Sequence, residues 1–368
     1  MTDIVDTGDV ALYTAYDNRY VRQEARFGVE RRALEKIPVV DLTPCVEEGP
    51  LADRRAVAAQ IRSACIDIGF FNLTGHGIPA AELAGVLRQG HAFFNQPLAE
   101  KMKVHAGKSP TNRGFMQTGG LNPDAASGKF PDVKERFFIS REPLPGEEGN
   151  VGYNVGRSQW PDAAALPDFE PFMKRHMQSR VVLAQRLVRA FALSLDLPED
   201  FFDEMYARPG GTLALNYYPA IEPSQLAQTQ WSFSPHTDYG GITLLTQDNV
   251  GGLQARNAAG DWIDIASRED AFVINIGDMF AMWTNDLYAS NLHRAMNMSG
   301  AARLSAAFFT SPGGATVIGC LPTCEGPGNP ARYAPIRADD YNTALIRQSH
   351  ATGRPGISTH TAKRLKAS

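Results

Sequence analysis

The chain has 368 residues, 43% hydrophobic and 21% charged, with 36 basic against 40 acidic side chains and a net charge of −4. That balance is ordinary for a soluble globular protein and leaves no electrostatic footprint for nucleic acid or an anionic membrane. No run of about 18 apolar residues occurs, so no spanning helix is expected.

The opening Met1-Thr2-Asp3-Ile4-Val5-Asp6 is acidic and lacks an apolar h-region, so a secretory signal is not expected. Residues 1–36 are polar, charged and aromatic without clear periodicity and are read as an arm over the body. Ile37-Pro38-Val39-Val40-Asp41-Leu42 and Gly69-Phe70-Phe71-Asn72-Leu73-Thr74-Gly75 read as short strands. Between them, Val57, Ile61, Ala64, Cys65 and Ile68 fall at spacings that predict a helix over Asp53 to Ile68. A second helix is expected after Gly77-Ile78-Pro79, carrying Leu83, Val86, Leu87, Phe93 and Phe94. Residues 106 to 170 are rich in Gly, Pro, Asn and Asp and are read mainly as loops over a pocket, with a strand at Lys134 to Ile139. A long helix is predicted from Asp168 to Leu195, with Met173, Met177, Val181, Leu183 and Leu187 inward.

From Thr212 onward short strand-like runs alternate with turns: Leu213 to Tyr218, Ile242 to Gln247, Trp262 to Ile265, Phe272 to Ile276, Leu292 to Met298, and Arg303 to Phe309. Evenly spaced short strands of this kind predict a sandwich or jelly roll, the architecture of cupins. Asp339 to Gln348 reads as a closing helix, and no repeat period suggests a solenoid or propeller. Four cysteines in so long a chain form no disulfide framework, making a reducing cytoplasm the expected compartment. Cys320 and Cys324 would need two further ligands to hold zinc, so two loop cysteines is the plainer reading. The expected organisation is an arm (1–36), an N-terminal region of strands and helices packed on the core (37–105), variable loops and the long helix (106–210), a catalytic core (211–312), and a C-terminal loop and helix (313–368).

Three motifs carry chemistry. In Ser234-Pro235-His236-Thr237-Asp238, alternation along a strand would put His236 and Asp238 on one face. A His-x-acid match is expected by chance about once in a chain of this composition, so the motif alone is weak. His293, on another predicted strand, would complete a set of two imidazoles and one carboxylate. Such a set holds one face of an iron(II) ion and leaves the other open. Either histidine alone would more simply be a half-buried hydrogen-bonding side chain. In Arg303-Leu304-Ser305, ten residues beyond His293, a guanidinium fork and a hydroxyl on the same strand face match a carboxylate, with Leu304 pointing into the core. A surface arginine is the alternative for Arg303 in isolation. In Asn216-Tyr217-Tyr218-Pro219, Asn216 and Tyr218 share a face and carry groups able to bind an acid or its keto oxygen, although by itself this is a common strand end.

Together these motifs resemble the iron(II)/2-oxoglutarate-dependent dioxygenases of the isopenicillin N synthase-like group. The likeness extends through Ile37 to Lys103 and Asn216 to Pro312, including Gly75-His76-Gly77, Gly251-Gly252-Leu253-Gln254 and Val273-Ile274-Asn275-Ile276-Gly277-Asp278. The resemblance implies a mixed α/β fold with a β-rich core, a distorted double-stranded β-helix (jelly roll, cupin-like) flanked by helices. It implies His236, Asp238 and His293 as catalytic iron ligands, with Arg303 and Ser305 holding the distal carboxylate of 2-oxoglutarate. Tyr218 and Asn216 stand on the cosubstrate side, and His76 is structural. The implied reaction takes iron(II), 2-oxoglutarate and O2, releases succinate and CO2, and hydroxylates, desaturates or cyclises a substrate. Halogenating relatives lack the carboxylate that Asp238 supplies, which disfavours halogenation here.

For the substrate, an aromatic lining of Phe115, Phe137, Phe233, Tyr239 and Phe309 is expected, fitting a small, partly apolar molecule of specialised metabolism. Core packing is the competing reading of each. Two other functions fit the sequence: an iron oxidase of the same fold that needs no 2-oxoglutarate, with Arg303 and Ser305 holding the substrate's own carboxylate, and a non-catalytic small-molecule-binding jelly roll. The oligomeric state is not legible.

Overall fold

The computed structural model describes residues 31–116, 134–145, 147, 155–220, 233–295 and 299–344. In chain order its strands are β1 (Val39–Asp41), β2 (Phe70–Thr74), β3 (Gly114–Met116), β4 (Glu135–Ser140), β5 (Gly210–Tyr218), β6 (Phe233–His236) and β7 (Ile242–Gln247). They continue with β8 (Leu253–Arg256), β9 (Trp262–Asp264), β10 (Phe272–Ile276), β11 (His293–Ala295), β12 (Arg303–Ser311), β13 (Val317–Ile318) and β14 (Ile336–Arg337). The helices are α1 (Thr43–Val46), α2 (Leu51–Asp67), α3 (Ala80–Phe94), α4 (Leu98–Lys103), α5 (Phe169–Ser194) and α6 (Asp278–Trp283).

An eight-stranded sheet of order β1-β2-β10-β7-β12-β5-β4-β3 faces a four-stranded sheet of order β6-β11-β8-β9. Side chains alternate across a strand, and directly paired residues share a face, so the register divides the large sheet into two surfaces. One surface carries Phe71, Leu73, Ile274, Leu244, Leu304, Phe308 and Leu215, all fully buried within one cluster that includes residues of α2, α3 and α5. Each such side chain contributes about 1.5–3 kcal/mol by leaving water, which explains why this layer holds the helices firmly. The other surface carries Phe70, Val273, Leu245 and Ala307, packed against Leu253, Ala255 and Ile263 of the small sheet and Ile265 just beyond β9. The result is the helix-flanked double-stranded β-helix expected from the strand spacing and the family likeness.

The N-terminal region joins the core directly, with β2 antiparallel to β10 and β1 parallel to β2. Of the expected arm, residues 1–30 lie outside the described residues. The remainder packs on the body: Arg32 Nε donates to Asp67 Oδ2 at 2.9 Å, and Asn257 Nδ2 donates to the Leu34 carbonyl at 3.2 Å. Several expected boundaries move. The predicted strand at 292–298 is β11, with 296–298 outside the described residues. Helical backbone occupies 338–344, and the rest of that predicted helix is not described. The loop-rich stretch after 106 also contributes β3, which pairs with β4 at the sheet edge. A three-residue strand offers too little alternation to be read from sequence.

Candidate metal and cosubstrate site

The small sheet places the two imidazoles. His293 on β11 pairs directly with His236 on β6, and their ring centroids lie 4.2 Å apart. The Phe70 ring meets the His293 ring edge-on at 5.4 Å. His293 Nδ1 lies 3.2 Å from the Asn291 carbonyl. A carbonyl only accepts, so Nδ1 carries the proton and the Nε2 lone pair is left for a ligand.

Asp238 arrives differently from the sequence expectation. Strand β6 ends at His236, so strand alternation does not align Asp238 with it. The carboxylate is instead fixed from the large sheet. Thr243 Oγ1 on β7 donates to Asp238 Oδ2 at 2.6 Å, and Asn275 Nδ2 on β10 donates to the same oxygen at 2.7 Å. Oδ1 then faces the histidines, 3.6 Å from His293 Nε2 and 3.9 Å from His236 Nε2. Burial works against a charge on Asp238, but the imidazoles of His293 and His236 and the two hydrogen bonds outweigh it and hold the carboxyl below its usual range. One potential ligand atom from each of the three residues falls within a 4.8 Å cluster, the only such group of three or more found among the described residues. Two nitrogens and one carboxylate oxygen on one side of a point suit iron(II) with open positions better than a closed zinc site. Cys320 and Cys324 are free thiols and belong to no such cluster among the described residues.

Arg303, Ser305, Asn216 and Tyr218 come together on the surface of the large sheet that faces the small sheet. Arg303 pairs in register with Tyr218, and Ser305 with Asn216 on one side and Gln247 on the other. Arg303 is 1% exposed. Its Nε donates to the Gly251 carbonyl and its Nη2 to Gln247 Oε1, each at 2.7 Å, while Cζ stands 5.0 Å from the Tyr218 ring centre. Gln247 is held in turn by its Nε2 bond to the Ile265 carbonyl at 3.1 Å. Among the described residues no acceptor meets the buried Nη1. An unmatched buried donor on a charged group costs at least about 1–3 kcal/mol, and a carboxylate brought to it would remove that cost. Strand β7 therefore holds both parts of the site, Asp238 through Thr243 and Arg303 through Gln247.

The expected aromatic lining divides by strand parity. Phe115 and Phe137 are fully buried on the helix side, where Phe137 lies 4.5 Å and Phe115 6.0 Å from the Phe93 ring. They therefore do not face the triad. The neighbouring Phe138, opposite Ala214, takes the inner face instead. It is half-buried, with the Arg136 guanidinium 4.3 Å from its ring centre, and Arg136 Nε donates to Asn216 Oδ1 at 3.1 Å. Sequence reasoning passed over Phe138 and Arg136 because a run of two phenylalanines gives no parity until its partner strand is known. Phe309 is half-buried on the inner face, opposite Thr243. Tyr239 packs against the helix-side cluster. Phe233 lies on β6, with its side chain outside the described residues. His76 accepts at Nδ1 from the Ile78 N–H, which leaves Nε2 to donate to the Asp270 carbonyl at 3.1 Å; both nitrogens are engaged structurally.

Two family models match the chain: "non-haem dioxygenase in morphine synthesis N-terminal" over residues 37–163 and "2OG-Fe(II) oxygenase superfamily" over residues 209–312. The 2-oxoglutarate-Fe(II) type oxidoreductase ppzC of Metarhizium majus is 34% identical over 83% of this chain and 85% of its own length. The 2-oxoglutarate-Fe(II) type oxidoreductase hxnY of Emericella nidulans is 33% identical over 85% of this chain and 90% of its own. Among solved structures, full-length Neurospora crassa T7H in complex with alpha-KG superposes with a TM-score of 0.77 at 28% identity, covering 88% of this chain and 100% of that one.

Proposed function

This chain belongs to the 2OG-Fe(II) oxygenase superfamily, and from that premise we propose that His236, Asp238 and His293 hold its iron while Arg303, Ser305, Asn216 and Tyr218 receive the cosubstrate. The protein is an iron(II)- and 2-oxoglutarate-dependent oxygenase. The observation that carries the residue assignment is the cluster of two imidazole nitrogens and a carboxylate oxygen, together with a buried guanidinium nitrogen that meets no acceptor among the described residues.

When bound, the iron and 2-oxoglutarate supply oxidative decarboxylation to succinate and CO2, coupled to two-electron oxidation of the substrate by O2. The chain's own residues set the stage. Asp238 offers one oxygen because the other is held by Thr243 and Asn275. Arg303, fixed by Gly251 and Gln247, would hold the distal carboxylate of 2-oxoglutarate, and the Ser305 hydroxyl on the same face would add a hydrogen bond. Thr243 and Gln247 lie on the same face of β7, four residues apart, so one strand positions the residues proposed for the metal and the residues proposed for the cosubstrate. The Tyr218 ring supports the guanidinium from beneath.

The substrate, in this reading, is a small and partly apolar organic molecule of specialised metabolism that lies against Phe138 and Phe309 and is hydroxylated, desaturated or cyclised. Solution of the Neurospora T7H structure with thymine (27% identity, TM-score 0.75) supports a small organic ligand for a pocket of this kind. No helix among the described residues is long and apolar enough to cross a membrane. The four free cysteines are in keeping with a reducing compartment, in this reading the cytoplasm.

The test is succinate release by purified protein supplied with iron(II), 2-oxoglutarate and O2 across a panel of small molecules. A true substrate accelerates succinate formation and yields oxidised product in equal amount, and Asp238→Ala abolishes both. Wild-type turnover in Asp238→Ala would reject the triad.

A further inference from the structure

We propose that Thr243 and Asn275 are positioning residues that lock Asp238 into one-oxygen ligation, keeping a metal position open that the second carboxylate oxygen would otherwise occupy. The inference rests on the assignment of Asp238 as a ligand made above.

A carboxylate at a metal is free to bind through one oxygen or both unless something occupies the second. Here two donors do so at once. The Thr243 hydroxyl and the Asn275 amide both reach Oδ2, at 2.6 and 2.7 Å, from adjacent strands of the large sheet. All three side chains are buried, at 4%, 3% and 7% exposure for Thr243, Asn275 and Asp238, so water competes little for these bonds. Oδ1 is left toward the two imidazoles. The histidines belong to the small sheet and the two donors to the large one, so without these bonds the carboxylate would hang from a turn.

The backbone of that turn is braced by the same segment. Asp278 N–H donates to the Asp238 carbonyl at 2.8 Å, and Thr237 Oγ1 donates to Asp278 Oδ2 at 3.1 Å. Gly277 N–H donates to the Gly241 carbonyl at 2.9 Å. The run Asn275-Ile276-Gly277-Asp278 thus acts as a clamp on residues 237–241, fixing the main chain with one end and the ligand's spare oxygen with the other.

Metal affinity of the full-length apo-protein reads this directly, with cobalt(II) as the probe and its ligand-field spectrum as a second readout. Thr243→Val, isosteric without the donor, and Asn275→Leu should each weaken cobalt(II) binding about 10- to 100-fold, while Thr243→Ser, which keeps the hydroxyl, should stay close to wild type. The cobalt(II) spectrum should also change in Thr243→Val and Asn275→Leu, because the freed carboxylate oxygen would replace water in the position that the two donors keep open. Asp238→Ala is the reference. If it loses cobalt(II) while Thr243→Val and Asn275→Leu bind with wild-type affinity and spectrum, the positioning role is wrong and the triad stands. If Asp238→Ala binds like wild type, the triad itself is wrong. Should Asn275→Leu not fold, Thr243→Val alone decides.

Discussion

Arg303 is a buried cation set by two protein acceptors and a tyrosine ring, and its remaining nitrogen defines what it can recognise. A lysine there would supply charge without the planar fork, and could not bond Gly251 and Gln247 while also meeting a carboxylate. Arg303→Lys should raise the KM for 2-oxoglutarate by about tenfold or more, since hydrogen bonds to charged groups contribute about 1.5–3 kcal/mol each. Steady-state kinetics at saturating substrate measures it, and an unchanged KM would reassign the residue. The adjacent phenylalanines of β4 give a sharper contrast. Phe137→Ala, on the helix side, should cost about 3–5 kcal/mol of folding stability with little effect on substrate KM. Phe138→Ala should do the reverse, raising substrate KM with a much smaller loss of stability. Denaturant unfolding of both variants beside their kinetics decides whether parity was assigned correctly.

Elements contribute through their junctions. Where β10 runs into α6, Gly277 lies so close to the turn after Asp238 that a Cβ would sit 2.2 Å from the Gly240 carbonyl oxygen. Gly277→Ala should therefore push the turn away from the sheet, lowering both thermal stability and metal affinity; a variant with wild-type values of both would show that the junction yields freely. At the α3–α5 interface, burial and the nearby Arg180 charge lower the His176 pKa from 6.5 to about 4, against the opposing pull of Glu82. The folded pKa is depressed, so the unfolded chain takes up this proton first. Stability from neutral His176 is full above about pH 6.5 and is lost as pH falls toward about 4. Urea midpoints measured across that window should fall less steeply in His176→Gln than in wild type.

Across the whole molecule, the proposed metal site joins two sheets that elsewhere meet through apolar packing and through the Gln247 bond to the Ile265 carbonyl. Its ligands come from the small sheet (His236, His293) and from a turn tethered to the large one (Asp238). A metal that binds only the folded state stabilises by mass action, by about 2.7 kcal/mol at a hundredfold excess over Kd. Adding cobalt(II) to apo-protein should raise Tm by several degrees, EDTA should reverse it, and Asp238→Ala should show no shift. A shift of equal size in Asp238→Ala would place the metal elsewhere.

Local grammar is what could be read from the order of amino acids. Helices α2, α3 and α5, strands β7 and β10, and the pairing of Arg303 with Ser305 follow from periodicity and turn residues, because period 2 and period 3.6 are local properties of a chain. The family likeness added which residues to gather. Tertiary structure alone decided which face each short strand presents, since parity is relative to a partner strand; this separated Phe138 from Phe137. It also decided how Asp238 reaches the histidines, through Thr243 and Asn275, 5 and 37 residues away along the chain. Bonds of that kind join residues brought together by sheet register, and no spacing along the chain encodes them.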